Sequence, residues 1–165
     1  MATDLKQKEY VRSALFGLED SLVSTTGLVA GIAVGAENKS VVLLAGIIAI
    51  TIEALSMGAS EYLSDDAVQE LDKIKRHRDS PKLSGLIMFV SYFAAGLVPL
   101  LPVAYLSFPY SLILCICSAL IGLFLLGYIK GRLLHTASVK GGMKMLIVGG
   151  LTTLAGVAIG FILRV

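Results

Sequence analysis

Residues 13–36 read SALFGLEDSLVSTTGLVAGIAVGA and residues 40–63 read SVVLLAGIIAITIEALSMGASEYL, with only Glu37, Asn38 and Lys39 between them. Each run has about the length an α-helix needs to cross a hydrocarbon core of ~30 Å, roughly 20 residues at about 1.5 Å each. So short a polar link turns the chain without room for a domain, and the pair reads as a membrane hairpin with Ser40 as N-cap of its second arm. Working outward, three more apolar stretches lie at 82–106, 109–130 and 142–163. Ser80-Pro81 puts proline at a first helical position, and Pro99, Pro102 and Pro109 bracket a short hairpin tip. The expectation is an all-α polytopic membrane protein, a single transmembrane domain over 1–165 with five transmembrane helices and a short connection over 64–81.

Composition agrees. Of 165 residues, 56% are hydrophobic and 16% charged, with no tryptophan and a mean hydropathy of +0.83. A soluble domain carries about 25% charged residues, so this chain lacks the polar surface to cover a water-exposed sphere. Disorder and nucleic-acid binding are excluded on the same ground, and a net charge of +2 points to no polyanionic partner. Cys115 and Cys117 would point about 200° apart on a helix, which argues against a disulfide or a two-cysteine metal site.

The cations are lopsided. Lys6, Lys8 and Arg12, then Lys73, Lys75, Arg76, Arg78 and Lys82, then Lys130, Arg132, Lys140 and Lys144 all fall on one side of a five-span chain, leaving Lys39 and Arg164 on the other. Cytosolic connections are enriched in Lys and Arg, so the N-terminus is placed in the cytosol and the C-terminus outside. Glu19 and Asp20 interrupt the first apolar run and no small-residue cleavage site follows, which excludes a cleavable signal peptide. The basic run 73–78 reads as a topology determinant and anionic-lipid contact. His77 within it and His135 read as solvent- or headgroup-facing.

Gly27, Gly31 and Gly35 recur every four residues in the first span, and Gly156 and Gly160 do so in the last. Such patterns let helix backbones approach closely, either within the chain or at a homodimer seam. Five short spans enclose little volume, and a path on a two-fold axis would double every ligand, which favours a symmetric dimer.

Acids inside the spans carry the functional signal. An acid at a helix centre costs about 2.5–3.5 kcal/mol on insertion scales, so Glu19, Asp20, Glu53 and Glu61 need a cavity or a partner. Asp20 lies seven residues below the start of span one and Met57 seven residues below Ser64, where span two reaches the cytosol. That is about 10 Å in each case, which puts the two at one level. Glu53, Met57 and Glu61 share one face of span two at i, i+4, i+8, and Ser24 lies at the depth of Glu53. Metal candidates are therefore Asp20, Met57, Glu53, Glu61 and Ser24, with Glu19, Asp65 and Asp66 at a cytosolic entrance. Oxygen donors suit hard dications, and a thioether shifts preference toward softer first-row metals. The plainer readings are that Met57 is packing material and that Glu19 and Glu61 are interfacial acids paired with Arg12 or a lysine.

Three stretches carry a family resemblance that covers nearly the whole chain. Phe16-Gly17-Leu18-Glu19-Asp20-Ser21-Leu22-Val23-Ser24-Thr25 with Gly27-Leu28-Val29-Ala30-Gly31 resembles the first span of the vacuolar iron transporter family. Ala54-Leu55-Ser56-Met57 with Glu61-Tyr62-Leu63-Ser64 is similar to its second, and Gly127-Tyr128 through Gly131-Arg132 to Gly149-Gly150 and Gly160 is similar to its last two. The resemblance implies a five-helix homodimer that moves Fe²⁺, and in some members Mn²⁺, out of the cytosol in exchange for protons. It implies a metal path along the first helices at the dimer interface, with the family's aspartate on Asp20 and its methionine on Met57, and no cofactor beyond the metal carried. This is a short form: the Glu- and Met-rich cytosolic domain of plant-type members has no counterpart in the connection here, which holds no methionine. Glu53 stands where the family has small residues, so its role rests on position alone.

On this reading metal and protons compete for Asp20 and Glu53. The rival readings are a non-transporting membrane assembly subunit and a transporter of another cation. An enzyme is not expected, since neither histidine shares a depth with a serine or cysteine nucleophile. With connections this short, the plasma membrane of a prokaryote is the expected location.

Overall fold

A computed structural model describes residues 2–71, 80–133 and 135–164, all of it built from five helices and their turns. They are α1 (Ala2–Ala36), α2 (Lys39–Leu71), α3 (Pro81–Tyr105), α4 (Tyr110–Leu133) and α5 (Ser138–Ile162). The basic run 73–78, with His77, lies outside the described residues. α1 and α2 extend well past the expected spans at the basic end, because hydropathy marks where hydrocarbon stops and not where the backbone ceases to be helical.

Two local expectations are corrected. The cap of α2 is Asn38, whose Oδ1 accepts hydrogen bonds from the Ser40 amide at 2.9 Å and the Val41 amide at 3.3 Å. Ser40 is already inside the helix, and Asn38 satisfies two of its orphan amides. Pro99 and Pro102 are not at a hairpin tip but inside α3, and Pro99 is fully buried. Proline is tolerated inside membrane-spanning helices. The tip is Leu106 to Pro109, with a cis Phe108-Pro109 bond.

Among the described residues four helices, α2 to α5, are long and apolar enough to cross a membrane. α1 falls short by composition, and its position explains why. It packs on all four others, and Ser13, Ser21, Thr25 and Thr26 on it are buried. A helix sheathed by its neighbours needs no apolar surface for lipid.

Glycine sets the closest contacts. A Cβ added at Gly27, Gly31 or Gly35 would stand 3.0, 2.6 or 3.1 Å from the carbonyl oxygens of Thr152, Gly156 or Gly160 respectively. The stripe on α1 is therefore taken up against α5 of the same chain, the two helices running parallel. Gly58 meets Gly85 between α2 and α3, and Gly127 meets Gly141 between α4 and α5, in the same manner. In hydrocarbon, where apolar burial gains nothing, such backbone-close packing is what holds helices together. Gly31→Leu should cost about 1–3 kcal/mol through overpacking, read as a lower thermal midpoint in detergent. Gly150→Ala, where an added Cβ meets nothing within 4 Å, should leave the midpoint in place.

Candidate functional site

Two contacts fix the register of α1 against α2. Ser13 Oγ donates to Glu61 Oε1 at 2.5 Å, and Ser24 Oγ stands 3.5 Å from Glu53 Oε2. Asp20 lies between the serines and Met57 between the acids, so antiparallel helices bring Asp20 and Met57 to one level. α2 turns Ile50, Ala54, Gly58 and Glu61 into the bundle, while Glu53 and Met57 flank that stripe half-buried.

At the deeper contact a third helix joins. The Tyr92 hydroxyl of α3 donates to Glu53 Oε2 at 2.5 Å and shares a 2.7 Å hydrogen bond with Ser24 Oγ. Tyr92 is itself buried, and its carbonyl accepts from Ser21 Oγ at 2.6 Å. Glu53, costly in hydrocarbon, is thus held by two hydroxyls from two helices. Asp20 lies within Coulombic range of Glu53, and Tyr92 of both acids.

Toward the basic end the acids are matched by cations. Arg12 Nη2 lies 2.9 Å from Glu61 Oε1 and 3.9 Å from Asp65 Oδ1, and Arg12 Nε lies 2.8 Å from Glu9 Oε2. The Glu9 hydrogen bond, then the charges of Glu61 and Asp65, hold the Arg12 pKa above its usual value against the opposing cost of burial. Lys130 Nζ of α4 donates to Glu19 Oε1 at 2.7 Å. Glu19 and Glu61 thus each have a cation from the same chain, and Asp66 is half-buried further along α2.

Asp20 faces the other way as well. It lines a cavity of about 520 Å³ between α1, α4 and α5, with Phe16, Glu19, Leu123, Lys130 and Met145 among the other walls. Among the described residues no group of three or more His, Cys, Asp or Glu side chains could hold a metal ion. One chain thus offers Asp20 beside a hydroxyl and carboxylate cluster, not a closed cage.

Sequence reasoning missed Tyr92 and Lys130. Tyr92 had a signal: it is eleven residues into α3, a phenol at mid-span on the level of Glu53. Lys130 had none that separated it from the other cations of its connection.

A family model described as the VIT family matches this chain over residues 11–79 and 65–161. The chain belongs to the VIT family. "Vacuolar iron transporter homolog 2" of Arabidopsis thaliana is 24% identical over 170 residues, covering 92% of this chain and 87% of its own. The Oryza sativa subsp. japonica protein of the same name is 25% identical over 173 residues, covering 94% and 91%. "Vacuolar iron transporter 1" of Oryza sativa subsp. japonica is 24% identical over 208 residues, covering 89% and 82%. VIT proteins are transporters and not enzymes, and metal is their substrate with no cofactor. The resemblance in the three stretches therefore holds over most of the chain.

The hydroxyl of Tyr92 is the cluster's hub, and Tyr92→Phe leaves Glu53 with Ser24 alone. Leaving a buried acceptor short of a partner costs about 1–3 kcal/mol, so the thermal midpoint in detergent should fall. In the double variant Tyr92→Phe, Glu53→Leu most of that loss should return.

Proposed function

We propose that this VIT protein carries a divalent transition metal, Fe²⁺ and in second place Mn²⁺, out of the cytosol in exchange for protons. It does so as a five-span homodimer, with the basic ends of the helices in the cytosol and, in a prokaryote, in the plasma membrane. The observation that carries the reading is the position of Asp20. Its carboxylate borders a cavity near the basic end of the bundle, and the Ser24, Tyr92 and Glu53 oxygens lie one level deeper. The plant relatives' names, iron transporter homologues, supply the metal.

A carboxylate in a low-dielectric site accepts a proton or shares a dication, and each expels the other. Metal arriving from the cytosol displaces protons from Asp20 and Glu53, and protons arriving from outside release the metal outward. Met57, level with Asp20, supplies the thioether that sets first-row metals above Mg²⁺. Ser24 and Glu61 complete the oxygen ladder. In the proposed homodimer a two-fold axis contributes each ligand twice. The reading as an assembly subunit is disfavoured, because acids awaiting another protein's cations would be unpaired, and Glu19 and Glu61 are paired internally.

In proteoliposomes, the wild type should take up Fe²⁺ with counterflow of protons. Asp20→Asn should reduce both by at least about tenfold, the loss of one ligand worth roughly 1.4 kcal/mol or more, with its thermal midpoint kept. Full activity in that variant would end the proposal. Met57→Leu keeps the volume and removes the sulfur, so uptake should persist while the preference for Fe²⁺ over Mg²⁺ falls. An unchanged preference removes Met57 from the ligand set.

A further inference from the structure

The cavity beside Asp20 reaches the α4–α5 connection, where Gly131 and Thr136 line it. Val23, Leu123 and Val148 give it apolar walls. On its lining, the Lys130 ammonium sits on the Glu19 carboxylate at 2.7 Å, the two side chains 37% and 25% exposed. Glu19 directly precedes Asp20 in α1, so a cation that replaces Lys130 at Glu19 is one residue from the acid on which transport depends.

We propose that this cavity is the route by which the metal reaches Asp20, and that Lys130 is a tethered counter-cation which the entering dication displaces from Glu19. The inference rests on the transport reading and adds to it the entry path and the residue that sets its threshold. Half-buried between apolar walls, the Glu19 carboxylate is expensive without a cation, and Lys130 supplies one when no metal is present. Lysine is suited to being displaced, because its compact ammonium on a flexible stem makes one movable contact where arginine would grip with a planar fork. Once displaced, the ammonium remains in the last turn of α4, where the carbonyl end of the helix favours a positive charge. Lys144, exposed at the same cavity, adds field but has no part in the exchange.

The chain has no tryptophan, so Phe16→Trp, a near-conservative change on the cavity wall, creates a single fluorescent reporter. Val148→Trp serves as a second should the first misfold. Titrated anaerobically with Fe²⁺ in detergent, the reporter should be quenched saturably, unlike a Leu86→Trp control in the separate groove between α2 and α3. Adding Lys130→Met should lower the half-quenching concentration about fivefold, the size that a partly exposed ion pair commands. Lys130→Arg should not lower it, and Lys144→Met should change it less than Lys130→Met does. Quenching no stronger than in the Leu86→Trp control, an unmoved midpoint in Lys130→Met, a midpoint lowered by Lys130→Arg, or equal effects at 130 and 144 would each overturn the proposal. Fe²⁺ uptake by the unmodified chain separates the two readings. Uptake without saturable quenching removes this route alone, whereas quenching without uptake leaves the cation-binding cavity and removes transport.

Discussion

A helix that carries Glu19, Asp20 and a series of buried hydroxyls cannot face hydrocarbon, and the rest of the fold answers that constraint. α1 is enclosed by the other four helices, which carry the lipid-facing surface in its place. Enclosure demands close approach, and glycines at the contacts of α1 with α5, α2 with α3 and α4 with α5 provide it. The polar centre and the small-residue seams are one design: the first needs a sheath, and the second lets the sheath close.

Within that sheath the charges are graded. Near the basic end Glu61 is paired with Arg12 and Glu19 with Lys130. Deeper, Glu53 is held by the hydroxyls of Tyr92 and Ser24, with no cation among the described residues paired to it. Asp20 stands at the boundary between the two regimes, with a cavity on one side and the hydroxyl cluster on the other. On the proposed transport reading, a dication moving inward would pass from acids paired with side-chain cations to acids where protons are its competitor.

Much of this could be read from the sequence because hydropathy and depth are one-dimensional. The helices, the turn at Glu37 and Asn38, and the levels of Ser24 and Glu53 follow from counting residues along antiparallel rods. The counting failed where a third helix or a local cap decided the outcome. Asn38 displaced Ser40 as the cap because its side chain reaches two amides at once. Pro99 and Pro102 lie within α3 because a membrane-spanning helix tolerates proline, and hydropathy does not tell a proline inside such a helix from one at its end. Tyr92 joined the cluster from α3, whose rotation no spacing rule fixes, and Lys130 found Glu19 across more than a hundred residues of chain. Spacing favoured a seam inside the chain for the glycine stripe over one between chains without deciding it, and α5 lying along the stripe does.

The far end of the molecule is tied differently from the basic end. There α1 and α2 are joined by only two residues, Asn38 caps the turn, Gly35 abuts Gly160, and Arg164 at the end of α5 pairs with Glu37. Three helices are cinched together, while at the opposite pole α1 stands apart from α4 and α5 by the width of a cavity. The two poles therefore differ in kind: one closes on backbone contacts and a capped turn, the other on long side chains that bridge helices beside a cavity.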